Sequence, residues 1–166
     1  MRATALVRKA GLTLHVVSSL GWFGAVLCFL VLAVLALVSP AAITVRAAYV
    51  AMDTLARLVI LPLCLASLLT GVVQSLISKW GLVQHYWVLF KLILNLLSTV
   101  VLVGHMRPIG EVARAAIQGS LAAGTLHAVR LQITLDAGAA LVVLAVATVL
   151  AVYKPRGTTP YGWRRS

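Results

Sequence analysis

Four long apolar runs constrain this chain more than any other feature. A helix that crosses a bilayer takes about 20 mostly apolar residues. The sequence supplies four such stretches, over roughly 11–38, 48–77, 86–106 and 133–153. Of the 166 residues, 62% are hydrophobic and only 10% are charged, whereas a soluble domain carries about a quarter charged residues. That balance excludes a cytosolic globular enzyme, a nucleic-acid module and a disordered tail. The expectation is an all-α, polytopic membrane protein built as a four-transmembrane-helix bundle. Residues 1–153 form one membrane domain, and 154–166 form a basic cytoplasmic tail. The first run is too long for a signal-peptide core and has no small-residue cleavage pattern at the right distance, so it counts as a span. Ser39-Pro40 ends it, because proline cannot continue a helix and biases its predecessor away from one.

The net charge of +11 would suggest nucleic acid in a soluble chain. Here the basic residues read as topology signals and as attractors of anionic lipid headgroups. Arg2, Arg8, Lys9, Lys79, Lys154, Arg156, Arg164 and Arg165 fall on one side of the spans. Arg46, Arg107, Arg114 and Arg130 fall on the other. Positive residues favour the cytoplasm, so both termini are expected there, with the protein in the plasma (inner) membrane of a bacterium. Trp80, Tyr86, Trp87 and Tyr153 sit at span ends, where amphipathic rings favour the headgroup layer. After Pro108, the residues Ile109, Val112 and Ala116 recur at helical spacing. The spacing predicts a short amphipathic helix on the outer interface between spans three and four. Gly119-Ser120 breaks it, and from about Leu121 the chain is already helix leading into the fourth span.

The polar residues inside the runs carry the functional information, since an ionisable group at bilayer depth usually faces the bundle interior. In the second run, Asp53, Arg57, Ile60, Cys64, Ser67, Gly71, Gln74 and Ser78 follow a period of about 3.5 residues, that of one face of a packed helix. Lys91, Asn95, Ser98, Leu102 and His105 do the same in the third run. His15, Ser18, Trp22 and Ala25 follow it in the first, and Asp136, Ala140, Val143 and Ala147 in the fourth. Most of the small and weakly polar members are the ordinary adhesive of membrane bundles. Pro62 marks a kink or hinge. Asp53 and Arg57 can pair along their own helix.

Alternation of the spans sorts the ionisable groups by depth. His15, His85 and Lys91 lie toward the cytoplasmic leaflet. Asp53, Arg57, His105, Arg107 and Asp136 lie toward the outer one. Lys91 heads its polar stripe, which favours an inward-facing role as counter-charge to an anionic ligand. No HExxH, paired CxxC, CxxCH or Walker loop is present. Three acidic residues in all are too few for a typical cation-driven transporter.

The segments GLTLHVVSSLGWFGAV, LASLLTGVVQSL, WGLVQHYWVLFKLILNLLSTVVLV and VYKPRG together resemble a small bacterial, actinobacterial-type integral-membrane family of unknown function over nearly the whole chain. The pattern His15-x6-Trp22-x-Gly24, with Lys91 just after Trp87, is also similar to CopD-type copper-resistance domains and HemJ-type protoporphyrinogen oxidases. The latter resemblance implies haem b binding, with His15 as iron ligand and Lys91 as second ligand or propionate partner. Trp22 would be a packing wall beside the cofactor, and Asn95 a neighbour on the same stripe. A haem ligand needs a neutral imidazole oriented by a further hydrogen bond, and Ser18 or Ser19 is positioned in sequence to supply it. The competing reading is a non-enzymatic accessory protein that associates with another membrane complex, a second copy of itself or anionic lipid. A copper or small-solute permease is the third, with Met52, Met106, Cys28 and Cys64 as a thin set of metal ligands.

Overall fold

The computed structural model describes residues 5–78, 81–120 and 124–163. Arg2, Lys79, Trp80, Leu121, Arg164 and Arg165, used above for topology, span ends and helix boundaries, lie outside them. Helix α1 covers Ala5–Val38, and α2 covers Ala42–Leu55. A π-helical turn, Ala56–Ile60, joins α2 directly to α3, Leu61–Ile77. Helix α4 is Tyr86–Gln118, α5 is Gly124–Tyr153, and a short α6 follows at Pro160–Trp163. Counting Ala42–Ile77 as one rod, four helices are long and apolar enough to cross a membrane, and no strand occurs among the described residues. The fold is an all-α four-helix bundle. Short connections make neighbouring rods antiparallel. They close a ring in which α1 packs on the α2–α3 rod, that rod on α4, α4 on α5, and α5 back on α1.

The seam interleaves small residues with a few large apolar ones, as expected where helices associate through close packing. Ser18, Trp22, Ala25, Phe29, Ala33 and Ala36 are buried along α1. Met52, Ala56, Ile60, Cys64 and Ser67 meet them from the second rod. The outward faces are the reverse: Leu6, Leu58, Val100 and Val142 are all more than 60% exposed. Large apolar side chains spread over the outer faces match a protein solvated by hydrocarbon rather than water.

Three features differ in detail from the periodicity argument. First, the segment after Pro108 is helical, but it is the uninterrupted end of α4. Its face Ile109, Val112, Ala113 and Ala116 is buried in the bundle core rather than laid on an interface. A proline inside such a helix is tolerated where packed neighbours support the backbone; close by, Arg57 Nη2 donates to the Met106 carbonyl at 3.2 Å and ties the second rod to α4. Gly119 then ends α4 in the left-handed conformation at φ 72°, with the Ser120 amide donating to Ala115 O at 3.0 Å, as a glycine C-cap does.

Second, the π turn ahead of Pro62 shifts the stripe of the second rod by one position. A π turn inserts one residue into the helical register, so Met52 and Ala56 take the buried face and Arg57 is exposed. Third, Ile133, Ala137, Leu144 and Ala147 form the buried line of α5, with Asp136 beside it.

Candidate functional site

The polar halves of α1, α3, α4 and α5 converge at one end of the bundle around a cavity of about 560 Å³. His15, Ser19, Trp22, Ser67, Gly71, Gln74, Trp87, Lys91 and Asn95 are among its lining residues, with Leu20, Phe23 and Leu144 as apolar wall. All four residues named for cofactor binding, His15, Trp22, Lys91 and Asn95, therefore line one space. Trp22 is almost completely buried. No hydrogen-bond acceptor or anionic partner reaches the Lys91 ammonium among the described residues.

His15 is held in a defined tautomer. Its Nδ1 lies 3.2 Å from the Ser67 carbonyl and 3.2 Å from Thr70 Oγ1. The carbonyl can only accept. The Thr70 hydroxyl already donates to Ala66 O at 2.6 Å, so its single proton is committed. Nδ1 must then carry the ring proton, which leaves the lone pair on Nε2 of the neutral imidazole. The orienting groups differ from the expected Ser18 and Ser19. Ser18 donates to Leu14 O at 2.8 Å, and Ser19 pairs with the Ser67 hydroxyl at 2.8 Å. Gly71 makes the room: a Cβ there would stand 3.0 Å from His15 Cε1.

The outer groups make two close pairs. Asp53 Oδ1 accepts from Arg57 Nε at 2.8 Å along one helix, against Gly110, where a Cβ would meet Arg57 Nη2 at 2.6 Å. His105 Nε2 and Asp136 Oδ2 approach to 2.7 Å between α4 and α5, off the line of a hydrogen bond, while His105 Nδ1 donates to Val101 O at 2.7 Å. This second pair borders a smaller, mainly apolar cavity of about 290 Å³. The Asp53–Arg57 pair is of the charge-neutralising kind that makes ionisable groups tolerable at depth. Among the described residues no three His, Cys, Asp or Glu side chains come together as a metal site. Cys64 instead contacts Thr99 Oγ1 at 3.2 Å.

The chain after α5 docks as a strap on the connection between α3 and α4. The Thr159 amide donates to Gln84 O at 2.9 Å, and its hydroxyl donates to Val83 O at 2.6 Å. Tyr86 N donates to Gly157 O at 3.4 Å, and Gly162 N to Thr159 Oγ1 at 3.2 Å. His85 and Thr158 form a bridge between the two segments. The start of the basic tail is thus docked on the α3–α4 connection. Gly162 is required by the contact, since a Cβ there would lie 2.5 Å from the Gln84 carbonyl oxygen, a clash that side-chain movement cannot relieve. Gly162→Ala is expected to release the strap. Limited trypsinolysis after Arg156 should become several-fold faster while the helical circular dichroism is unchanged. An unchanged cleavage rate would show that the strap tolerates the methyl group.

Comparison with protein-family models, with curated proteins and with solved structures finds no match to this chain.

Proposed function

We propose that the chain is a multi-pass protein of the bacterial plasma membrane, with both termini cytoplasmic, whose central cavity binds haem b. The observation that carries this reading is the His15 tautomer. Two acceptors fix the ring proton on Nδ1, leaving Nε2 with the lone pair that an axial ligand requires. Metal-ligating histidines are normally oriented in this way by a bond from the other ring nitrogen. The remaining residues suit the same group: Trp22 and Phe23 offer flat apolar wall, Asn95 a polar edge, and Lys91 a cation for a propionate. Ligand cavities of about 300–1,000 Å³ with few convergent polar groups are typical of cofactor sites. Haem bound there would supply one-electron chemistry at its iron, tuned by the axial ligand and the surrounding polarity. The resemblance to HemJ-type proteins at His15 and Lys91 points the same way. Arg8, Lys9 and Arg156 near this end favour a leaflet rich in anionic lipid, and any partner complex or second copy would meet the large apolar side chains on the outer faces.

The test is an absorption spectrum of the full chain purified in mild detergent and titrated with haem b. A Soret band that is lost in His15→Ala, and weakened about tenfold or more in Lys91→Ala, is the expected result. Absence of the band after haem supplementation, or its persistence unchanged in His15→Ala, would overturn the reading.

A further inference from the structure

The second cavity sets a polar pair in an apolar wall. It lies between α1, α4 and α5 and has a volume of about 290 Å³. Trp22 borders both this space and the first cavity. Among the described residues no lysine or arginine lines it, and Asp136 is its one carboxylate. Leu97 and Val101 line it from α4 and are also about half exposed on the outer face. The space is therefore open sideways, toward the surface that hydrocarbon would cover. A molecule dissolved in a bilayer can enter there without crossing water.

The pair is incompletely bonded. His105 Nδ1 donates to Val101 O at 2.7 Å, so Nε2 is the ring atom left for another partner. Asp136 Oδ2 stands 2.7 Å from Nε2, off the line of a hydrogen bond. This oxygen is buried and has no hydrogen-bond partner among the described residues. A buried polar atom left in that state costs free energy until a donor completes it. An anionic ligand would meet a carboxylate and no cation. A phenolic hydroxyl supplies the missing donor without carrying a charge into an apolar wall. Its oxygen can also accept from Nε2–H when the imidazole holds a second proton. Trp22 and Phe29 border the space, and aromatic rings pack favourably against such side chains.

We propose that the cavity between α1, α4 and α5 binds a lipid-soluble quinol, with His105 and Asp136 holding one of its phenolic hydroxyls. The site is separate from the first cavity and does not depend on haem binding there. It also gives the pair a use: an ionisable couple facing the bundle interior at this depth is there to meet a ligand.

Masking the hydroxyls tests the assignment. The full chain in mild detergent, without haem and under argon, is titrated with menadiol and with menadiol dimethyl ether. Both carry the naphthalene ring that takes up energy from tryptophan, and Trp22 borders the cavity. Menadiol should give saturable energy transfer, and the ether should bind about tenfold or more weakly. The double replacement His105→Leu/Asp136→Leu leaves neither group unpaired and should weaken menadiol about tenfold or more. Asp136→Asn, of equal size, should lose affinity several-fold. His15→Ala should bind menadiol as the native chain does. Helical circular dichroism checks that each variant is folded. Transfer that does not saturate, an ether bound as tightly as menadiol, or native affinity in both the double variant and Asp136→Asn would overturn the site. Loss of menadiol in His15→Ala would place it in the first cavity and overturn the proposal equally. Dodecanol that competes as well as menadiol would assign the space to an aliphatic alcohol and overturn the quinol.

Discussion

If the cavity takes haem b as proposed, Gly71→Val is expected to weaken that binding about a hundredfold or more while leaving the bundle folded. A Cβ at position 71 would already stand 3.0 Å from His15 Cε1 and 3.4 Å from Nδ1. The ring cannot retreat without surrendering its contacts with Ser67 O and Thr70 Oγ1. Alanine asks for a shift of a few tenths of an ångström, and valine adds two methyl groups to that demand. Disturbing the groups that orient a metal ligand commonly costs 10–100-fold in affinity. Gly71→Ala should therefore bind about tenfold more weakly, and Gly71→Val about a hundredfold or more. The overpacking itself should cost about 1–3 kcal/mol of stability. Because the loss acts through His15, the double variant Gly71→Val/His15→Ala should bind no worse than His15→Ala alone. Titration followed at the Soret band, with melting in detergent as a control, measures each quantity. Native affinity in Gly71→Val would show that the position of the His15 ring is not what the cavity depends on.

Arg130→Ala is expected to be strongly destabilising although Arg130 lies outside the cavity. Helix α1 ends at Ser39-Pro40, and proline has no amide proton to donate. The carbonyl of Ala36, four residues before Pro40, therefore lacks its helical partner, and Ala36 is fully buried. Arg130 supplies the missing donor: its Nη2 lies 2.9 Å from Ala36 O. The same guanidinium donates through Nε to the Tyr49 hydroxyl at 2.6 Å and sits 5.4 Å from the centroid of the Tyr49 ring. One side chain on α5 thus ties the end of α1 to α2. A hydrogen bond from a charged group contributes about 1.5–3 kcal/mol, and an orphaned buried carbonyl costs about 1–3 kcal/mol. With overlap between these effects, Arg130→Ala should lose about 2–4 kcal/mol. Tyr49→Phe removes one of the contacts and should lose about 1 kcal/mol. Arg130→Lys should recover only part of the difference, because an ammonium cannot serve both acceptors with the geometry of the guanidinium fork. Thermal unfolding of the set in one detergent tests the order, and an Arg130→Ala protein as stable as Tyr49→Phe would contradict it.

The second rod shows where periodicity stops being a guide. The stripe from Asp53 to Ser78 is continuous in sequence, but the π turn at Ala56–Ile60 inserts a residue into its register. From Ile60 onward the buried face is the one that the period predicts, Cys64 and Ser67 included. Before the turn it passes to Met52 and Ala56. Pro62 signals a local irregularity, yet the choice between a kink and a π turn depends on what packs against it. The end of α4 is a similar case. Pro108 has the form of a helix start, and the chain passes through it because the following turns are buried against neighbouring helices.

The candidate site divides along the same line. His15 and Lys91 are legible because each is an ionisable residue within an apolar run, and alternation of the spans places both at one end. Thr70 was not legible. It is off the polar stripe, and a threonine bonded to its own helix usually means nothing more. Arg130 reads as a topology charge, since nothing local distinguishes it from the other basic residues near span ends.

By itself the sequence determined the number of helices, their all-α character, and the gathering of His15, Trp22, Lys91 and Asn95 on inward faces. Those follow from hydropathy and helical period, which are properties of neighbouring residues. The tertiary structure alone decided the His15 tautomer, the strap at Thr159 and the Arg130 bond to Ala36. Each depends on a backbone carbonyl many residues away. A carbonyl is carried by every residue, so no pattern of side chains reveals which one will be met.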